Sequence, residues 1–270
     1  MSGAGDIDRR IEAAKRAVMA QTALLHEQFG KVESRWKEDG TRVTAVDVAI
    51  SENIFRELSS QFSEDQMFSE ELPAPGGPIP VGAGFSWVLD PIDGTNNFAL
   101  GIPHCAISLG LVVDGAPRYG VVYDLGRRQL MHGGPGYGMF DGGRTAGVRT
   151  EPPNRESLIG FHSPSDKSMV PAADAVISNF KIRGLGSATL HLAYVAAGLF
   201  AGAVDFNVKI WDLAAAIPMC MAAGGSVLFL NGEQLPMRSF DLKMGRIMYV
   251  AGPPALAERL KGLVLAGPGR

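Results

Sequence analysis

Asp90 and Asp93 stand three residues apart in the run Trp87-Val88-Leu89-Asp90-Pro91-Ile92-Asp93-Gly94-Thr95-Asn96-Asn97-Phe98. An apolar strand pattern, Phe85 to Leu89, drives into them. Pro91 lacks a backbone donor and Gly94 tolerates conformations that other residues avoid, so the sequence predicts a strand that ends in a sharp turn. Two carboxylates converging there repel each other, and a cation between them relieves the repulsion. Hard oxygen ligands suit magnesium or calcium better than zinc. Gly94, Thr95 and Asn96 add backbone N–H groups and a hydroxyl, the donors a phosphate accepts. The plainer reading is a turn in which both aspartates cap loop donors.

Other acids occupy similar places. Glu70-Glu71 follow a short strand pattern, Met67-Phe68-Ser69. Asp212 follows Trp211 at the start of an alanine-rich helix, and Asp47 falls near the start of a helical pattern running to Leu58. Taken singly, the glutamates read as a solvated pair and the two aspartates as helix caps. Together they share strand ends and helix starts, which gather at one edge of a layered α/β architecture. The sequence holds no Gly-x-Ser-x-Gly elbow, no Gly-Lys-Ser/Thr phosphate loop and no Cys-x5-Arg. His26, His104, His132, His162 and His191 show no ligand spacing and read as structural.

The elements that must position these groups alternate along the chain. Residues 6 to 29 predict one amphipathic helix, with Ile7, Ile11, Ala14, Val18, Leu24 or Leu25 and Phe29 on its apolar face and Gly30 as its stop. Ala106 to Val113, Arg118 to Tyr123, Arg128 to His132 and Tyr137 to Phe140 predict an antiparallel meander. Its turns carry Asp114-Gly115 and Leu125-Gly126, with glycine where positive φ is needed. Beyond Thr150 to Glu156, strands are expected at Leu158 to His162, Lys181 to Arg183, Ala203 to Val208, Ser226 to Leu230 and Ile247 to Val250. Helices are expected at Asp174 to Phe180, from Ser187 through Leu199, from Leu213 to Ala223 and from Pro253 to Leu263. The expected class is α/β (α+β), layered, with mixed and antiparallel sheets. Residues 1–270 read as one domain, because no composition shift separates the halves 1–150 and 151–270.

Glu70-Glu71, the string Asp90-Pro91-Ile92-Asp93-Gly94-Thr95, and Trp211-Asp212 with Ala214-Ala215 resemble, in order and spacing, the signatures of the inositol monophosphatase family. Val43-Thr44-Ala45-Val46-Asp47 is similar to the family's upstream acidic segment, and the resemblance runs from about residue 7 to residue 252. It implies an α-β-α-β-α sandwich and a Mg-dependent, lithium-sensitive phosphatase. By that resemblance Glu70, Asp90 and the Ile92 carbonyl would hold one magnesium. Asp90, Asp93 and Asp212 would hold a second, and a third would sit near Glu70. Asp47 and Thr95 would orient the attacking water, and Gly94 and Thr95 would take the phosphate. Gly186-Ser187-Ala188 matches the helix-opening segment that faces the substrate's hydroxyls. Asp205 stands where inositol-specific members carry a glutamate seven residues before the Trp-Asp aspartate.

The implied substrate is a small polyol or sugar phosphate. Histidinol phosphate and fructose 1,6-bisphosphate are alternatives, a 3'(2'),5'-bisphosphate nucleotide less so, and a catalytically silent regulator is the reading from another class. Lys209 reads either as a positive group near the leaving group or as a solvated loop lysine. A formal net charge of −3 over 270 residues gives no pull toward nucleic acid or an anionic membrane. No apolar run approaches the roughly 20 residues of a spanning helix, and the first residues lack the apolar core of a signal peptide. Cys105 and Cys220, both in apolar surroundings, fit a reducing cytoplasm. The resemblance further implies a homodimer.

Overall fold

A computed structural model describes residues 4–37, 42–71, 77–82, 84–161 and 167–266. Its helices are α1 (Ala4–Ala20), α2 (Thr22–Gln28), α3 (Ala45–Gln61), α4 (Thr95–Leu100), α5 (Val170–Ile177), α6 (Ala188–Ala196), α7 (Ile210–Leu213), α8 (Ala216–Ala222) and α9 (Pro254–Ala266). One sheet holds β1 (Gln66–Ser69), β2 (Phe85–Asp93), β3 (Ala106–Val113), β4 (Ala116–Asp124), β5 (Gln129–Gly134), β6 (Gly138–Asp141) and β7 (Arg144–Thr145). These strands lie side by side in chain order, antiparallel throughout except for the parallel pair β1–β2. The second sheet runs β9 (Lys181–Arg183), β8 (Leu158–Phe161), β10 (Gly202–Val208), β12 (Ile247–Gly252) and β11 (Ser226–Phe229), and is mixed. His162, the expected end of β8, lies outside the described residues.

The layers follow from which faces are apolar. Helices α1 and α3 bury Ile7, Ile11, Ala14, Val18, Ile50, Ile54 and Leu58 against one face of the first sheet. Helices α6 and α8 are apolar on nearly every side and fill the space between the two sheets. Helices α5 and α9 pack together, and α9 covers the outer face of the second sheet. The expected α-β-α-β-α order is what the chain adopts. One core cluster runs from Val88 and Val122 through Leu190 and Ile217 to Tyr249. We infer from this shared core that the halves fold as one unit.

The structure departs from the sequence pattern in its details. The amphipathic stretch 6–29 is two helices, broken at Gln21, whose buried side chain accepts from Asn53 Nδ2 at 3.0 Å. Thr22 Oγ1 donates back to the Met19 carbonyl at 2.8 Å, which closes the first helix there. In the meander, Gly115 has the expected positive φ of 81°, but at the next turn Arg128 carries it, at 52°. Gly126 serves by its small size: a Cβ there would lie 2.2 Å from the Pro103 carbonyl oxygen.

Small size also seats the join between the two sheets. Gly110 and Gly120 are partners across β3 and β4. A Cβ on Gly120 would stand 1.8 Å from the Ala215 carbonyl oxygen, and one on Gly110 would stand 2.7 Å from the Ala214 carbonyl carbon. The Ala214-Ala215 junction, where α7 gives way to α8, therefore lies flush on the first sheet. Asp212 sits two residues before that junction.

Candidate active site

Asp90 and Asp93 converge through a β-bulge rather than through the expected strand end. Strand β2 continues through Asp-Pro-Ile-Asp, pairing Asp90 with Ser108 and Asp93 with Ala106, so three steps on β2 match two on β3. One extra residue on β2 bends the strand and brings two side chains of odd spacing to one place. Pro91 has no ladder N–H to lose, and Asp90 Oδ1 accepts from the Ile92 N–H at 3.1 Å. The turn comes at Gly94, with φ of 88°, and Thr95 opens the short α4, a helix the sequence pattern had not announced.

The remaining acids arrive from three other elements. The parallel pairing of β1 with β2 carries Glu70 and Glu71 to the same sheet edge, and the Glu70 N–H continues the ladder onto the Leu89 carbonyl at 3.2 Å. Asp47 completes a capping box at the start of α3 with the N-cap Thr44: its Oδ2 accepts from the Thr44 N–H at 2.8 Å and the Thr44 hydroxyl at 2.5 Å. Its Oδ1 also accepts from Thr95 Oγ1 at 3.3 Å, and Thr95 Oγ1 lies 3.0 Å from the Ile92 carbonyl oxygen. Asp212 Oδ2 accepts the Lys209 N–H at 2.7 Å at the start of α7. Asp90, Asp93 and Asp212 each present a carboxylate oxygen within 4.8 Å of the others.

Several partners had no local sequence signal. Lys37 bridges Glu70 at 2.6 Å and Glu71 at 2.8 Å. Ser187, the N-cap of α6, donates to Asp93 Oδ2 at 2.5 Å, and the Thr189 N–H donates to the same oxygen at 2.7 Å. The Thr189 contact could have been found by counting the N–H groups that a helix start leaves without intrahelical partners. Lys209 directs its ammonium to the Met244 carbonyl. Asp205 is fully buried, its carboxylate engaged by Tyr249 and His191. Gly186, with φ of 73°, lies between Asn97 and Ser187.

Such crowding leaves its mark on protonation. Burial, reinforced by Glu70, Asp93 and Asp212, holds the Asp90 carboxyl well above the usual range, and burial with Asp93 and Glu70 does the same to Asp212. Asp90 and Asp212 present carboxylate oxygens within 4.8 Å of each other, and two carboxylates this close repel. Burial pushes Asp47 up to about 6, and burial with the charge of Glu70 pushes Glu71 up to about 7. The donor set is oxygen throughout and acidic, with Lys37 as a cation on Glu70 and Glu71. It therefore fits hard divalent ions.

A folded-state carboxyl raised above its unfolded value holds protons the unfolded chain has released, so stability falls as pH rises through that window. The metal-free protein is thus expected to lose stability from the ordinary carboxylate range near about 4 up through about 6 for Asp47 and about 7 for Glu71. Divalent cation should flatten that slope. Thermal unfolding midpoints at acid and neutral pH, with and without magnesium, check it. A metal-free protein more stable at neutral pH would contradict the repulsion.

The chain matches the family model described as "Inositol monophosphatase family" over residues 6–265. It is 31% identical over 260 residues to Nus factor SuhB of Pasteurella multocida, covering 93% of this chain and 92% of that one. It is 31% identical over 237 residues to fructose-1,6-bisphosphatase/inositol-1-monophosphatase of Aquifex aeolicus, covering 84% and 88%. Among solved structures, the extragenic suppressor protein suhB from Bartonella henselae superposes with a TM-score of 0.80 at 26% identity, over 97% of this chain and 98% of that one. With the acidic cluster at the sheet edge and this agreement along nearly the whole chain, the protein belongs to the inositol monophosphatase family of phosphoric monoester hydrolases.

Proposed function

We propose that the protein is a magnesium-dependent phosphomonoesterase that hydrolyses a small polyol or sugar phosphate, of the inositol-1-phosphate type, with water as nucleophile. The observation that carries this reading is the convergence of Asp90, Asp93 and Asp212 at one sheet edge, beside the Thr95–Asp47 hydrogen bond. Glu70, Asp90 and the Ile92 carbonyl would hold one ion, Asp90, Asp93 and Asp212 a second, and Glu70 would border a third. Magnesium, when bound, supplies a Lewis acid for the phosphoryl oxygens and acidifies water beside it. Thr95 has one hydroxyl proton; donated to Asp47, it leaves the oxygen's lone pairs to accept from water and aim it. Asp47, already raised to about 6, is near neutrality and can take up the proton displaced along that path. Gly94 and Thr95 line the bend where the phosphate would lie, with the Gly186 carbonyl packed close to Gly94 and Ser187 held on Asp93 beside it.

Magnesium-dependent phosphate release from inositol 1-phosphate, histidinol phosphate, fructose 1,6-bisphosphate and an adenosine bisphosphate tests the reading. Release from none of them, with magnesium bound, would leave a silent regulator. Lithium should inhibit. Thr95→Val, which keeps shape and removes the hydroxyl, is expected to lower kcat by roughly a hundredfold with little change in KM. Steady-state kinetics on the best substrate check it, and an unchanged kcat would remove Thr95 from the reaction.

The same reading includes a homodimer in the cytoplasm, without nucleic-acid or membrane partners. Two buried free cysteines fit a reducing compartment and the small net charge fits a lack of nucleic-acid partners. The dimer rests on the family resemblance, and sedimentation equilibrium tests it. Among the described residues no helix is long and apolar enough to cross a membrane.

A further inference from the structure

Tyr249, Asp205 and His191 form a second buried polar group besides the acidic cluster. They come from β12, β10 and α6 and are all fully buried. The Tyr249 hydroxyl donates to Asp205 Oδ2 at 2.8 Å. His191 Nδ1 lies 3.3 and 3.4 Å from the two Asp205 oxygens, and His191 Nε2 accepts the Leu185 N–H at 3.0 Å. An acceptor nitrogen carries no proton, so the imidazole is fixed as the Nδ1–H tautomer with its donor turned to Asp205. Gly160 leaves room for the ring: a Cβ there would meet it at 3.0 Å.

Leu185 is pinned on its other side too, because Asn97 Nδ2 donates to its carbonyl oxygen at 2.7 Å. The chain then passes Gly186, at φ of 73°, and reaches Ser187 and Thr189, which both donate to Asp93 Oδ2. We propose that Asp205 and His191 are positioning residues for the metal-binding acids: they hold the 185–189 segment so that its two donors fix the Asp93 carboxylate. Asp205 thus acts from the second sheet on a ligand in the first, and not on the substrate. The inference rests on the metal-dependent reading above.

The test uses the full-length protein and compares wild type with Asp205→Asn. Outer-shell partners of metal ligands change affinity or rate by roughly 10- to 100-fold when altered. The variant should therefore bind magnesium about tenfold more weakly by calorimetry and lose kcat in the same range, with substrate KM within about twofold. Wild-type magnesium affinity and kcat in the variant would overturn the proposal. So would a raised KM at unchanged kcat, the sign of direct substrate contact.

Tyr249→Phe removes only the far hydroxyl and keeps the question open to measurement if Asp205→Asn does not fold. It should shift magnesium affinity in the same direction, by a smaller factor. Nitrogen-15 spectra of wild type should show His191 with a protonated Nδ1 and a bare Nε2; the opposite tautomer would overturn the relay. Wild type that neither binds magnesium nor releases phosphate would sink the function itself, an outcome distinct from these.

Discussion

Asp93→Asn is expected to lower kcat by roughly a thousandfold and weaken magnesium binding by about 10- to 100-fold while leaving the fold intact. The asparagine carbonyl can keep the two bonds that fix this position, from Ser187 Oγ and the Thr189 N–H. Its amide then faces Asp90 and Asp212, a donor where the cluster needs a charge. The substitution also removes one of the charges that hold Asp90 and Asp212 above the usual carboxylate range. The metal-free variant should therefore unfold at the same temperature as wild type or higher, the opposite of what damage to a core residue does. Phosphate release, calorimetric magnesium titration and metal-free thermal unfolding read the three parts separately. Near-normal activity would sink the two-ion assignment, and a large loss of metal-free stability would show that Asp93 serves the fold first.

Gly120→Ala is expected to cost roughly 3 kcal/mol of stability or more, far above a typical strand substitution. The added methyl would stand 1.8 Å from the Ala215 carbonyl oxygen, and its obstacle is backbone, which cannot rotate aside as a flexible side chain could. Either the α7–α8 junction lifts off the first sheet or the sheet bends. Lifting the junction also moves Asp212, so the fraction that folds should bind magnesium more weakly than wild type. Gly143→Ala is the control, because no atom lies within 4 Å of a Cβ there. It should be neutral or gain about 0.5 kcal/mol through the unfolded chain. Urea unfolding of both variants checks the contrast, and equal midpoints would show that the close approach carries no cost.

The two substitutions mark how far the sequence could be read. The acids that gather beside β2 were legible as candidates because their chemistry is written in residue type: Asp90, Asp93, Asp212, Glu70 and Asp47 are costly to bury without a purpose. Most strands and helices were legible because apolar periodicity decides which face turns inward. Gly120 was not legible, because a glycine in a strand pattern reads as a weak strand residue until the partner backbone above it is known. The break at Gln21 was hidden for the same reason, since a polar contact to Asn53 has no trace in local periodicity.

By itself the sequence determined the layered class, the acidic character of the strand-end and helix-start positions, and the family. Each follows from residue type and local order, which a single chain displays in full. Tertiary structure alone decided how the acids meet. The Asp90-to-Asp93 run is a bulge because β3 supplies two partners where β2 offers three steps. Asp47 both caps a helix and receives Thr95, a pair 48 positions apart in the chain. Lys37 bridges the two glutamates, and Ser187 and Thr189 hold Asp93 from the other half of the molecule. Asp205 turned inward because Tyr249 and His191 offer its carboxylate two partners inside a core from which water is excluded. Such contacts depend on distances between segments remote in sequence, and only the packing of the two sheets on α6 and α8 sets those distances.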